Sequence, residues 1–170
     1  MLGLIQDTQT ALHSLHLWSN NIGLQGALTI AKFIDQGCSR SLREVHLSHN
    51  FIPFEGGKEL LLAAARASAA GIPRYPMLVD NCAVPLWLRL HANIINVACP
   101  NMENFAADMT TLMLRERPGL LGASTNQVTM MCVRGPETQA CSSSCCESRA
   151  VVHLKEITQQ RGQPLERSVV

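Results

Sequence analysis

A pattern of apolar positions, closed by an asparagine, occurs three times along the chain. Its spacing is leucine-x-x-leucine-x-leucine-x-x-asparagine-x-isoleucine, with Pro85 at the first position of the third copy. The second copy begins thirty residues after the first, and the third begins forty-three residues after the second. The repeated positions are Leu12, Leu15, Leu17, Asn20 and Ile22, then Leu42, Val45, Leu47, Asn50 and Ile52, then Leu88, Leu90, Asn93 and Ile95. An internal repeat of this kind predicts one structural unit built three times.

The alternation inside each copy predicts a β-strand. In an extended chain Leu15 and Leu17 point to one face and His16 points to the other. We expect strands near residues 14–18, 44–48 and 87–91, placed side by side in one register. The asparagine ends each strand, and its amide is expected to bond to backbone groups of the neighbouring unit, which would form a polar ladder.

Apolar residues at helical spacing follow each strand and predict three helices. The expected buried stripes are Ala27, Ile30, Ala31 and Ile34 in the first helix, Leu60, Leu61, Ala64 and Ala65 in the second, and Phe105, Met109, Leu112 and Met113 in the third. The repeating unit is therefore a strand, a turn and a helix.

These residues resemble the leucine-rich repeat family, whose consensus has the same spacing. The repeat length near thirty looks like the ribonuclease-inhibitor-like subclass, and the resemblance covers about residues 10–115. It implies an α/β solenoid with parallel strands on a concave face and helices on a convex face. We expect residues 1–117 to form this domain. Because such arrays usually need at least three repeats and end caps, we also expect the chain to be a short or truncated array.

Beyond residue 117 the repeat is no longer visible, and serine, cysteine, glutamine and arginine become frequent. We expect residues 118–170 to be a mostly disordered tail. Within it, residues 128–133 are compatible with a short strand and residues 151–160 with a short helix, without partners that periodicity identifies.

Composition and net charge argue against several classes of function. With 14 Lys and Arg against 13 Asp and Glu, the net charge of +1 supplies no overall basic field for nucleic acid or an anionic membrane. No apolar stretch approaches the roughly 18 residues of a membrane span, and no secretory signal is visible, so we expect a cytoplasmic or nuclear protein. The odd count of seven cysteines argues against a disulfide framework.

In such a solenoid the residues between the inward leucines form the concave surface, and three columns follow from the register. The first holds Ser14, Glu44 and Trp87, the second His16, His46 and Arg89, and the third Trp18, Ser48 and His91. Tryptophan and arginine are enriched in interface hot spots. We therefore expect His16, Trp18, Glu44, His46, Trp87, Arg89 and His91 to contact a protein partner, the alternative being a merely solvated strand face.

Several histidines and cysteines are candidate metal ligands. Neighbouring strands would bring His16 and His46 close enough to share a zinc ion, but no further ligand is placed reliably, and His13 points to the opposite face. Cys141, Cys145 and Cys146 with His153 lack the usual paired spacing; a serine- and cysteine-rich tail is the alternative. We expect no metal, no cofactor and no catalytic residues, since no phosphate-binding loop, nucleophile elbow or zinc-protease motif occurs.

The expected function is a non-catalytic interaction module or scaffold that binds a protein partner through its concave face, with no nucleic acid or membrane as partner. Three alternatives stay open. The resemblance alone suggests a regulator of small GTPases, as some ribonuclease-inhibitor-like solenoids are. A metal-dependent enzyme built on the histidine columns is another, and a non-functional fragment of a larger repeat protein is the last.

Overall fold

A computed structural model describes residues 11–36, 41–69, 71–97, 102–117, 129–134, 146 and 149–155. The strands are β1 Ser14–His16, β2 Glu44–His46, β3 Ser68–Ala69, β4 Ile72–Pro73, β5 Met77–Val79, β6 Cys82–Val84, β7 Leu86–Arg89, β8 Met131–Arg134 and β9 Val152–Lys155. The helices are α1 Leu24–Asp35, α2 Phe54–Arg66 and α3 Met102–Arg115, with a 3₁₀ turn at Ile94–Val97. The fold is mixed α/β. Among the described residues, no helix has both the length and the apolar character needed to cross a membrane.

The main sheet has five parallel strands in the order β1-β2-β7-β9-β8. Ser14 lies opposite Glu44, and Glu44 lies opposite Trp87, so the register predicted from the repeat is confirmed. The strands are shorter than expected, yet backbone hydrogen bonds continue beyond them. The Ser19 amide, for example, donates to the Ser48 carbonyl at 2.9 Å.

One face of the sheet packs against the helices and forms the core. The inward strand residues are Leu15, Val45, Leu88 and Leu154, and they share one apolar cluster with the buried stripes of the helices. The predicted stripe of α1 and that of α2 are buried. We call the opposite side the open face, which carries Ser14, His16, Glu44, His46, Trp87 and Arg89 on the strands and Trp18, Ser48 and His91 just beyond them.

The asparagine ladder is present. Asn50 Oδ1 accepts hydrogen bonds from the amides of Asn20 and Ile22, both at 3.1 Å, while its Nδ2 donates to the Leu17 carbonyl at 2.9 Å. Asn93 repeats this arrangement one unit further, with Oδ1 accepting from the Ile52 amide. These bonds join each unit to the one before it. They also give partners to both the oxygen and the nitrogen of each buried amide, as buried polar groups require.

The residue before each ladder asparagine has a left-handed backbone. Ser19, His49 and Ala92 all have φ of 54°. A positive φ is unusual for residues with a Cβ, so three equal values at equivalent positions identify one turn used three times. This turn redirects the chain from the strand toward the helix and positions the asparagine side chain under the neighbouring unit.

The long spacing between the second and third copies is explained by an insertion of two small hairpins. β3 pairs with β4, and β5 pairs with β6. Asp80 and Asn81, the two residues between β5 and β6, both have positive φ, as a two-residue hairpin turn requires. The insertion is attached to the core by Tyr75, whose hydroxyl donates to the Leu42 carbonyl at 2.9 Å, and by Arg117, which donates to the Tyr75 carbonyl at 2.6 Å.

Two segments of the expected disordered tail belong to the sheet, which corrects that prediction for them. Residues 131–134 form β8, close to the strand considered at 128–133. Residues 152–155 form β9 rather than the start of a helix, and they lie between β7 and β8. The physical reason is that Val152 and Leu154 are fully buried by neighbours distant in sequence. Most other residues from 118 onward lie outside the described part of the chain.

Candidate binding surface

The open face is built by the alternation of the strands. Because Leu15, Val45 and Leu88 point into the core, the residues beside them in each strand point outward in aligned rows. One row consists of Ser14, Glu44 and Trp87, and the next consists of His16, His46 and Arg89. The structure thus aligns the side chains of the first two predicted columns.

Glu44 links the two rows. Its Oε2 lies 3.4 Å from His16 Nε2, and its Oε1 lies 3.4 Å from an Arg89 guanidinium nitrogen. The Arg89 guanidinium carbon also lies 5.3 Å from the centre of the Trp87 ring, within cation–π range. Glu44 is only 13% exposed in its side chain, so this carboxylate holds its neighbours in place more than it meets solvent.

Aromatic rings form a second group that runs across the units. The Trp18 ring stacks on His46, with centroids 6.4 Å apart and planes inclined by 23°. His46 also contacts the rings of His16 at 5.7 Å and of His91 at 6.0 Å. Trp18 is 57% exposed, a large fraction for such an apolar side chain. The centre of the open face is therefore a set of rings with one tryptophan facing solvent.

Two histidines of this group, His46 and His91, have lowered pKa values. Burial is the main cause that lowers the pKa of His46, followed by the positive charge of Arg89. Burial is also the main cause that lowers the pKa of His91 to about 4, followed by the positive charge of Lys155. His91 Nδ1 lies 2.7 Å from the Ser48 hydroxyl oxygen. At neutral pH these two rings offer uncharged flat surfaces and nitrogen atoms for hydrogen bonding.

Some residues of this surface were not predicted. His49 contacts the His91 ring edge to face at 5.5 Å, although its column was not read as part of the surface. His153, on β9, contacts the Trp87 ring at 6.0 Å and lies opposite it in the register. The position of His49 directly before Asn50 in the repeat is the signal that would have placed it in the left-handed turn at the end of the strand. No local pattern indicates that β9 lies beside β7.

Other residues considered from sequence lie elsewhere. His13 Nδ1 is 3.2 Å from the Ser41 carbonyl, away from the His16 and His46 rings. Cys141 and Cys145 lie outside the described residues. Cys146 and His153 are described; both are buried, and each has a ligand atom within 4.8 Å of one in Cys132.

The helix side carries a separate cavity of about 350 Å³ between α2 and α3. Phe54 and Phe105, whose rings meet edge to face at 5.9 Å, form part of its wall. Lys58, Asp108 and Arg115 also line it. None of the open-face residues lines this cavity, so the open face is the better candidate for recognition.

Comparisons with known proteins do not identify a family. No protein-family model matches the chain, and neither the curated proteins nor the solved structures that were searched match it.

Proposed function

We propose that the chain is a leucine-rich repeat protein of the ribonuclease-inhibitor-like type and acts as a non-catalytic interaction module. Its open face corresponds to the concave face of such a solenoid. Three features support the assignment: strands in one register, buried asparagines that bond to the preceding unit, and the same left-handed residue before each asparagine. A cytoplasmic or nuclear location is part of the proposal.

The observation that carries the binding role is the exposed Trp18 ring stacked on His46. An exposed tryptophan costs free energy in water, since burying apolar surface yields about 25 cal/mol per Å². Here the ring sits at the edge of a group of aromatic side chains, where a partner side chain would cover both it and the His46 ring. Tryptophans in this setting are frequent hot spots.

The ion pairs beside the rings are suited to form the polar rim of an interface centred on Trp18 and His46. Glu44 is held between His16 and Arg89, so these polar groups are already oriented before a partner arrives. Pre-oriented side chains lose less conformational entropy on binding. The partner that this surface fits is a protein segment with an apolar or aromatic side chain at its centre and polar groups around it.

A pair of matched variants tests the proposal. Trp18→Ala removes the exposed ring of the open face, while Leu78→Ala removes a side chain that is 79% exposed on the inserted hairpin. The full chain and both variants are used to capture partners with a chemical cross-linker, and affinities are then measured with the purified partner. We expect Trp18→Ala to weaken binding roughly 30-fold, equivalent to about 2 kcal/mol, and Leu78→Ala to leave it unchanged.

Circular dichroism of both variants checks that the fold is intact. His46→Ala provides a second test of the same contact, because it removes the ring under Trp18. Partner binding that persists in both open-face variants, or that is lost only with Leu78→Ala, would rule out the open face as the binding site.

A further inference from the structure

Three side chains with metal-ligating atoms converge at β8 and β9, on the side of the main sheet that faces away from the helices. They are Cys132 on β8, His153 on β9 and Cys146 in the segment that precedes β9. One ligand atom from each lies within 4.8 Å of the other two. All three residues are buried, with exposed fractions of 5%, 3% and 1% for Cys132, His153 and Cys146. We propose that these residues bind a zinc ion that fastens the C-terminal strands to the sheet.

The strand register places two of the ligands. Cys132 and His153 are direct partners in the parallel pairing of β8 with β9. Side chains at directly paired positions point to the same face, so the thiol and the imidazole approach the site from one side. Leu154 and Val133, the next pair along the strands, point to the apolar core instead. The site therefore lies on the face away from the helices.

The third ligand comes from above the sheet. The Cys146 amide donates to the Ala83 carbonyl at 2.8 Å, which ties this residue to β6. The Arg149 amide donates back to the Cys146 carbonyl at 3.0 Å, and Arg149 has a positive φ of 51°. This turn returns the chain toward β9 and places Cys146 over the pair formed by Cys132 and His153.

The distances suit zinc. With Zn–S near 2.3 Å and Zn–N near 2.0 Å, tetrahedral ligand atoms stand about 3.5–3.8 Å apart. The observed separations, all within 4.8 Å, need only small side-chain rotations to reach that spacing. Sulfur and imidazole ligands in a tetrahedral set select zinc over calcium or magnesium, which prefer oxygen.

The charge balance also suits burial. Two thiolates cancel the charge of a divalent zinc ion, and a neutral imidazole adds none, so the buried group has no net charge when the fourth ligand is water. Each thiol that binds zinc releases one proton to the solvent.

The packing around the site gives the ion a structural role. Cys132, Cys146 and Ala150 form a small apolar cluster separate from the main core. Three small side chains bury little apolar area, and β8 and β9 are four-residue strands. A bond network through one ion would join β8, β9 and the Cys146 segment, as structural zinc does in small domains.

The full chain, purified under reducing conditions and freed of metal, is titrated with zinc in competition with a chromophoric chelator, and separately with cobalt. We expect one equivalent of zinc per chain, together with proton release. Cobalt should give the intense visible bands of tetrahedral coordination and a charge-transfer absorption of at least two thiolates. No stoichiometric zinc binding, a preference for copper with no zinc bound, or a cobalt spectrum with fewer than two thiolates would overturn the proposal.

Variants locate the site. Cys146→Ser and His153→Gln should each weaken zinc binding by more than about 100-fold, because a ligand contributes at least as much as the outer partners that orient it. Cys82→Ser, on β6 and half-buried, is the matched control and should bind zinc like the unchanged chain. Unchanged zinc binding in both Cys146→Ser and His153→Gln would refute the assignment, even if another cysteine binds the metal.

Discussion

The two ends of the main sheet are built in different ways. β1 and β2 come from repeated sequence, each followed by its own helix and joined by the Asn50 ladder. β8 and β9 come from sequence without a repeat, yet Val152 and Leu154 are as fully buried as Val45 and Leu88. Sheet continuity therefore requires apolar side chains at alternate positions on the core side, while repeated sequence adds identical turns and ladders to one part of it.

The largest expected effect tests whether the repeated and the non-repeated parts of the main sheet contribute equally to stability. Leu154→Ala on β9 and Leu88→Ala on β7 remove the same side chain from fully buried positions of one cluster. We expect each to lower the free energy of unfolding by about 3 kcal/mol, since the cavity and the lost burial are alike. Urea denaturation followed by circular dichroism measures both. A loss with Leu88→Ala only would show that β9 contributes little to stability.

Next in size is the ladder, which joins the repeated units in the described part of the chain. Asn50→Ala leaves the amides of Asn20 and Ile22 and the Leu17 carbonyl without their side-chain partners. We expect a loss of about 2–3 kcal/mol in unfolding free energy, because buried polar groups would lack hydrogen bonds. Asn20→Ala is the control: this exposed side chain donates to the Trp18 carbonyl, and its loss should cost under about 1 kcal/mol. Equal costs would argue against the ladder as a stabilising feature.

A smaller effect is expected where the first two units pack together. A Cβ at Gly56 would stand 2.9 Å from the Cβ of Ala27 on α1, an atom fixed to its backbone. A Cβ at Gly57 would instead meet the terminal methyl of Ile95, which can rotate. Both changes gain similar helix propensity, so Gly56→Ala should be less stable than Gly57→Ala by about 1–2 kcal/mol. Thermal unfolding compares them, and the reverse order would contradict the close approach of α1 and α2.

The smallest expected effect concerns the electrostatic interaction between Lys155 on β9 and His91 in the third repeated unit. After burial, the charge of Lys155 on β9 is the foremost cause that lowers the pKa of His91 to about 4. Lys155→Gln should raise this pKa toward its ordinary value, as measured by NMR titration of the His91 ring protons. Lys58→Gln, on α2, is the matched control and should not change it. An unchanged pKa in Lys155→Gln would mean that β9 does not lie beside the third unit.

The sign of the accompanying pH dependence follows from the lowered pKa values. The unfolded chain binds a proton at each histidine near pH 6.5, whereas folded His91 does so only near pH 4. Because the unfolded chain binds the proton more readily, the free energy of unfolding is highest above pH 6.5 and decreases as the pH falls from 6.5 to 4. His46, whose pKa is also lowered, acts in the same direction.

Sequence reasoning predicted the parts of the fold that are encoded locally. The strand register, the helices and the asparagine ladder all follow from residues close to one another within a unit. The inserted hairpins were missed, although Asp80 and Asn81 between two short apolar runs are a recognisable turn signal. Residues 151–160 are compatible with a short helix in the sequence because a four-residue alternation is too short to distinguish the two periods, and the pairing of β9 with β7 joins residues far apart in the chain.

The open face could be predicted from the repeat to a greater extent than the group formed by Cys132, Cys146 and His153. The repeat predicts the two rows of the open face that hold Ser14, Glu44 and Trp87, and His16, His46 and Arg89. The contacts between rings depend on side-chain rotation, which no pattern encodes. Cys146 and His153 were considered together, but Cys132 was not added because its proximity arises only from the β8–β9 register.

The position of β9 also bears on the order of assembly. This strand is the last in the described chain but lies inside the sheet, between β7 and β8, so β8 joins the sheet through it. β8 is synthesised first, before the residues of β9 with which it pairs, which lie twenty-one positions further along the chain. Contacts of such long sequence separation form slowly. The repeated units can fold while the ribosome is still translating, whereas the far edge of the sheet forms only after the Lys155 codon has been translated.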